Sequence, residues 1–346
     1  MATEAACAVS TSSNESLDQF LTVAGWAGAT RSSVQKDAST RHFMRLTKPD
    51  GQVAILMEAR PPMDDIQPFL FMQKKLSRLG LSVPKVYAHD IQNHFVLQED
   101  FGEVRYFELL KDNNTNPAEL YQAAIETLVC LATADPEIAL QDSTAFGWEY
   151  WENRVRQFLI HYVPAYGSSS LSAAAEAEYM QIFQNLIAQT EKLPPVLVHG
   201  DFEAQNLFYF PDRQAPGQCG LIDFEDFTPA KGNMMATPAF DLMHVLQSPR
   251  LKNDFEKTEH YKRMFCEAAN ITDTQQFDQD FAILAVALAL KCLGFFTRVG
   301  QENARYLTFI PNCWEIINYN ISHAALTPLK GWLQAHIPDS ERVSHD

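Results

Sequence analysis

The spacing of apolar positions changes character near Gly102. Before that point the apolar runs are short and strand-like. Phe43–Thr47 and Val53–Met57 are separated by Lys48-Pro-Asp-Gly51, a strong turn former, and predict a hairpin over 43–58. Ile66, Phe69, Leu70, Phe71, Leu76 and Leu79 then recur on a helical period up to Gly80, and Val83–Tyr87 with His94–Gln98 complete a small sheet. Beyond Gly102 the helical period dominates, with helices predicted over Leu120–Thr133, Tyr150–Val163 and Ala173–Glu191; the serines at 168–170 read as a loop. Pro194-Pro195 closes that stretch before three more strand-type runs, Val196–Val198, Leu207–Phe210 and Gly220–Ile222. From Asp241 onward the pattern is helical again, and Phe281–Leu290, too short to span a bilayer, reads as a buried helix. The order of elements predicts an α+β protein with a small sheet-rich lobe followed by a larger, mainly helical one.

Composition narrows the classes of function. The 346 residues are 46% hydrophobic, enough for a large core. A formal net charge of -16 argues against nucleic-acid binding, which needs a basic footprint. Met1–Ser16 is Ala/Ser/Thr-rich without an apolar h-region, so it reads as a flexible leader in a cytoplasmic protein with no membrane association. The six cysteines are scattered without metal-ligand spacing, and reduced thiols are the expectation. Nothing in the pattern indicates an oligomer, and a monomer is the default.

The chemistry concentrates in Leu197-Val-His-Gly-Asp-Phe-Glu-Ala-Gln-Asn206 and Leu221-Ile-Asp-Phe-Glu-Asp226. Apolar strand-type flanks put Asp201 and Asn206 on a loop between strands, and Pro211–Gly217 reads as the turn that folds the next strand back. Phosphoryl transfer requires an oriented hydroxyl and neutralised phosphate charge. Asp201 suits the base that accepts the hydroxyl proton, while Asn206 and Asp223 supply hard oxygen donors for Mg2+. His199-Gly-Asp201 or Asp223-Phe-Glu-Asp226 alone could be an acidic turn at a strand end. Their joint occurrence at this spacing points to a kinase that uses ATP.

His199–Asn206 resembles the Brenner motif of the aminoglycoside phosphotransferase and choline kinase superfamily, which has a protein-kinase-like two-lobed fold. Asp37-Ala-Ser-Thr-Arg41, Leu97-Gln-Glu-Asp-Phe-Gly102, Pro238-Ala-Phe-Asp-Leu242 and Lys291-Cys-Leu-Gly294 are similar to one branch, the bacterial kinases that phosphorylate N-acetylmuramate and N-acetylglucosamine at the anomeric hydroxyl during cell-wall recycling. The likeness runs from about residue 17 to 335. It implies an N-lobe over 17–102 that binds nucleotide and a C-lobe over 103–346 that carries catalysis and the acceptor, with Glu99 and Asp100 at the hinge whose backbone meets adenine. His199, Glu203 and Asp226 fall where they could support catalysis or touch substrate, although a loop-facing carboxylate is the plainer reading of Glu203.

Departures from the superfamily are informative. Met57 stands where the small-lobe strand usually carries a phosphate-binding lysine, and the helix after it, Asp64–Leu79, has no glutamate to pair with one. Arg41 is the candidate replacement cation, with the hydroxyls of Ser39 and Thr40 beside it; the alternative is a surface arginine of the hairpin. Thr228–Thr237 resembles an insertion ahead of Asp241, which is read as a brace for the catalytic loop. For the acceptor, Trp148, Tyr150, Trp151, Glu152 and Asn153 form either a sugar platform or core, and Arg298 and Arg305 either meet a carboxylate-bearing sugar or are ordinary helix-end charges. Besides an amino-sugar kinase, a kinase of a cationic alcohol such as an aminoglycoside or choline, and a nucleotide-binding pseudokinase, fit parts of the pattern.

Overall fold

The computed structural model describes residues 15–34, 41–59, 65–112, 114–139, 143–167, 170–224 and 233–343. The chain forms two compact units, Met1–Val104 with Gly220–Glu225, and Arg105–Cys219 with Asp226–Asp346.

The first unit is built on an antiparallel sheet of β1 (Thr30–Ser33), β2 (His42–Thr47), β3 (Val53–Glu58), β4 (Val86–Asp90) and β5 (Phe95–Gln98), in the order β1-β2-β3-β5-β4. The predicted hairpin is present: Thr47 pairs with Val53, and Lys48 N–H donates to Gln52 C=O at 2.9 Å. Gly51 closes the turn at φ 89°, a region open to glycine at little cost. Leu46, Ala54, Leu56, Phe95 and Leu97 form one apolar face, and Leu17, Phe20, Leu21 and Trp26 pack on it. The helix that carries Leu17 is already under way at residue 15, inside the stretch read as leader.

β4 lies three residues later than the pattern predicted. Pro84 has no N–H to give a ladder and its carbonyl accepts from Gln73 Nε2 at 3.2 Å, while Ser82 C=O is taken by Leu221 N–H at 2.8 Å. The helix Gln67–Arg78 buries Phe69, Met72, Lys75 and Leu76. It ends at Gly80, φ 80°, where Leu81 N–H reaches back to Leu76 C=O.

In the second unit Asn116 caps the helix Pro117–Ala132 and Ser172 caps Ala173–Gln189, each accepting a backbone N–H from the first turn. The helix predicted over Tyr150–Val163 changes character midway: Trp148–Gln157 is α-helical and Phe158–Tyr162 is a π segment. At this joint Tyr179 Oη takes the Val155 carbonyl at 3.1 Å, and Gly294 presses on Gln157 so closely that a Cβ there would stand 2.2 Å from its carbonyl oxygen. Tertiary contact has overridden the local period. Gly294 belongs to Thr274–Gly300, a 27-residue helix that contains the apolar run; it is long and apolar enough to cross a membrane, yet 78% of its most apolar window is buried, as in a core helix.

A three-stranded sheet sets up the catalytic loop. β8 (Asn233–Ala236) pairs in parallel with β6 (Ser143–Ala145) and antiparallel with β7 (Val196–Leu197), with Met235 opposite Leu197. β7 runs into His199 and β8 into the helix Ala239–Leu246, so the two chain segments that meet at the site leave adjacent strands. Of the insertion-like segment 228–237, residues 228–232 lie outside the described residues.

Candidate active site

Backbone bonds fix the loop after β7 before any side chain acts. His199 N–H donates to Asp241 Oδ2 at 2.6 Å and Gly200 N–H to Asp241 Oδ1 at 3.0 Å. Asp241 is 3% exposed, and His199 is 1% exposed. Both oxygens of a buried carboxylate are thus spent on the loop, the brace predicted for Asp241. Burial pushes the Asp241 carboxyl up to about 7 against the pull of those two N–H bonds, with Asp201 pushing the same way. Gly200 sits at φ 96°, so the chain reverses where only glycine does so readily. Phe202, fully buried, anchors the far side, edge-on to the His199 ring at 5.6 Å.

The loop then winds into a short turn, Ala204–Asn206, with Asn206 N–H donating to Glu203 C=O at 2.8 Å. This brings Asn206 back to Asp201: its Nδ2 donates to both Asp201 O and Asp201 Oδ2, each at 3.0 Å. With the amide nitrogen turned to the base, Asn206 Oδ1 is the atom left to accept. His199 Nδ1 accepts from Asp201 N–H at 3.2 Å, so the ring orients the loop backbone. Arg105, which the sequence did not single out, donates from Nη1 to Gln205 C=O at 2.9 Å and holds the turn from outside.

Glu203 takes part in the electrostatics around Asp201. Its side chain is 13% exposed and 4.0 Å from Arg250 Nε. Burial and Asp201 push it up to about 7, while Arg250 and Lys291 pull it down. Lys291 in turn is raised: burial disfavours its ammonium, but the Cys292 sulfur and the carboxylates of Glu203 and Asp201 outweigh that. Tyr150, of the predicted aromatic cluster, is raised by burial and by Asp201 and Asp241, and Arg154 stacks on its ring at 3.5 Å. Trp151 is core at 2% exposure. Trp148 and Glu152 line a shallow cavity of about 410 Å³ with Arg156 and Met180. The cluster is divided between core, cavity and the surroundings of the base.

The nucleotide-side candidates belong to the first unit. Asp223 takes φ 63°, which aspartate tolerates better than most residues, and the next ring, Phe224, stacks on Phe69 at 5.3 Å. Asp100 has its carboxylate engaged by Arg45 (Nε to Oδ2 2.5 Å, Nη2 to Oδ1 3.1 Å) and by Gly102 N–H at 2.8 Å. Glu99 Oε2 accepts from Lys85 N–H at 3.1 Å. Arg41 is 5% exposed, which removes the reading of a surface arginine. Met57 is fully buried, and the following helix turns a cation inward, Lys75 at 6% exposure. Ser39, Thr40 and Asp226 lie outside the described residues. Asn206 in the second unit and Asp223 in the first each offer hard oxygen donors.

Residues 30–279 match the model of the phosphotransferase enzyme family. The N-acetylmuramate/N-acetylglucosamine kinase of Caulobacter vibrioides is 27% identical over 358 aligned positions, covering 93% of this chain and 96% of that protein. The protein of the same name from Pseudomonas aeruginosa is 22% identical, covering 93% and 94%. Among solved structures, the ADP-bound aminoglycoside phosphotransferase APH(2'')-Ib superposes with a TM-score of 0.53 at 16% identity, covering 88% of this chain and 96% of that one. Its fold and that of the streptomycin-ATP-APH(2'')-IIa ternary complex, TM-score 0.51 and 15% identity over 82% of this chain and 89% of that one, are kinase-like. The chain accordingly belongs to the phosphotransferase enzyme family, with a kinase-like α+β fold and the activity of a kinase acting on an alcohol group.

Proposed function

We propose that the chain is a cytoplasmic ATP- and Mg2+-dependent kinase that phosphorylates the anomeric hydroxyl of N-acetylmuramate, N-acetylglucosamine or both in peptidoglycan recycling. The observation that carries the reading is Asp201 held by Asn206 on a loop pinned at both His199 and Gly200, in a chain related over 93% of its length to kinases of those sugars. Asp201 accepts the proton of the sugar hydroxyl as its oxygen attacks the γ-phosphorus of ATP, the bond to the β-phosphate oxygen breaks and ADP leaves. Asn206 and Asp223 would hold Mg2+, which supplies neutralisation of the phosphate charge when bound. Arg41 and the backbone of 99–102 are assigned to the nucleotide, Ser39 and Thr40 to its phosphates, and His199 to holding the loop.

A cationic alcohol fits less well, because Arg250 and Lys291 would face it beside Glu203. The test is ADP release from Mg-ATP by the purified protein across a panel of alcohols. Turnover that depends on either amino sugar is expected; turnover with aminoglycosides or choline and none with the sugars removes the proposal.

A further inference from the structure

Two cations in the larger unit stand beside the base without the partners that cations in a protein interior normally have. Arg250 lies in the segment between the helices Ala239–Leu246 and Phe255–Ala268, which is held where Asn312 Nδ2 donates to Pro249 C=O at 3.1 Å. Its guanidinium carbon is 5.4 Å from the Phe296 ring, 5.6 Å from Tyr306 and 5.9 Å from Phe309. Three aromatic faces fix the plane of the fork and satisfy its charge in part without occupying its N–H groups. The nearest carboxylate oxygen, on Glu203, is 4.0 Å from Nε, too far for a hydrogen bond. Among the described residues the Arg250 side chain therefore donates no hydrogen bond, although it is only 18% exposed.

Lys291 repeats the situation from the helix Thr274–Gly300. It is half-buried, its ammonium lies 5.6 Å from the Phe295 ring, and it has no ion-pair partner among the described residues. The Phe295 ring beside Lys291 and the Phe296 ring beside Arg250 lie 5.7 Å apart on the same helix, which puts the two cations in one neighbourhood, and both act on the Glu203 carboxyl. A half-buried ammonium and a caged guanidinium with a free fork are costly unless an anion arrives to use them. In a chain of net charge -16 their placement next to the base is not a reflection of bulk composition. Arg298 and Arg305, the cations that sequence order suggested for such a role, are exposed instead.

We infer that Arg250 and Lys291 form a carboxylate-binding subsite for the acceptor, through which the enzyme holds an anionic sugar such as N-acetylmuramate by its lactyl group. This rests on the amino-sugar reading above. The planar fork of Arg250 receives the two carboxylate oxygens and Lys291 adds a point charge, while an uncharged sugar such as N-acetylglucosamine makes neither contact.

The experiment measures KM for N-acetylmuramate and for N-acetylglucosamine at fixed Mg-ATP in the full-length wild type, Arg250→Gln and Lys291→Gln. The ratio of the first KM to the second is expected to rise about ten-fold or more in each variant. A ratio that stays within about two-fold overturns the inference and leaves the acceptor reading intact. Absence of turnover on either sugar by folded wild type overturns both. Should Arg250→Gln not fold, Arg250→Lys, which keeps the charge and loses the fork, is expected to give a smaller rise in the same ratio, and no rise counts against the subsite.

Discussion

Carboxylates are used in opposite ways in the two units. In the sheet-bearing unit Asp100 is enclosed by Arg45 and by the N–H of its own loop, and Glu99 is tied to Lys85 N–H. Their charge is spent on local structure, and what that loop can offer a nucleotide is backbone. In the larger unit Asp201, Glu203 and Asp241 are buried or half-buried within reach of one another, so that burial and mutual repulsion drive both Glu203 and Asp241 up to about 7. In the first unit the carboxylates are spent on the fold; in the second Asp241 is spent on the loop backbone, while Asp201 and Glu203 beside it are held for a ligand or a reaction. Perturbed groups of this kind are common at functional sites.

Substitutions on the two sides should break that contrast or sharpen it. Asp201→Asn removes the base while keeping a partner for Asn206, and kcat is expected to fall by about 10³ with the protein still folded, checked by steady-state ADP release and a thermal melt. Next in size, Asp241→Ala leaves the N–H groups of His199 and Gly200 buried without an acceptor; a stability loss of about 3 kcal/mol by denaturant titration, with kcat lowered as well, is expected.

His244 gives the pH dependence. It is 3% exposed, with Nδ1 3.1 Å from Phe240 C=O. Burial first, then Lys291 and Arg154, lower it from 6.5 to about 3, and the Phe240 carbonyl only partly opposes this. The unfolded chain binds this proton first as pH falls, so the His244 contribution to stability drops below pH 6.5 by up to about 1.4 kcal/mol per pH unit, continuing towards pH 3, while Glu203 and Asp241, raised to about 7, contribute with the opposite sign. The difference in stability between wild type and His244→Gln isolates the histidine, and it should shift against wild type as melts are taken from pH 7 to 5. The smallest effect is expected in the other unit: Arg45→Gln should cost about 1 kcal/mol, since the side chain is 23% exposed and solvent screens part of the pair. A cost equal to that of Asp241→Ala would erase the contrast.

What was legible in the sequence follows the same division. The hairpin over 43–58, the helix before Gly80 and the loop from His199 to Asn206 depend on neighbours a few residues apart, and period and turn chemistry reported them. Strand β4 was displaced because Gln73 and Leu221 engage the backbone at Ser82 and Pro84, and neither partner is visible from the strand itself. The helix after Trp148 was read too uniformly because Gly294, well over a hundred residues away, decides what happens at Gln157. Asp201 and Asn206 were found because the motif keeps them five residues apart. Lys291 was noticed only as part of the Lys291–Gly294 stretch, and Arg250 was missed because its setting is assembled from Glu203, Phe296, Tyr306 and Phe309, which no local pattern unites. A cation near an aromatic-rich helix end was the available signal, and it pointed to Arg298 and Arg305, which the fold leaves in solvent.

The most direct test of the account is phosphorus NMR of the product formed from Mg-ATP and N-acetylmuramate or N-acetylglucosamine. A sugar phosphate whose phosphorus couples to the anomeric proton, formed by wild type and lost in Asp201→Asn, is the predicted result. Phosphate on any other hydroxyl, or the same product in undiminished yield from Asp201→Asn, would contradict it.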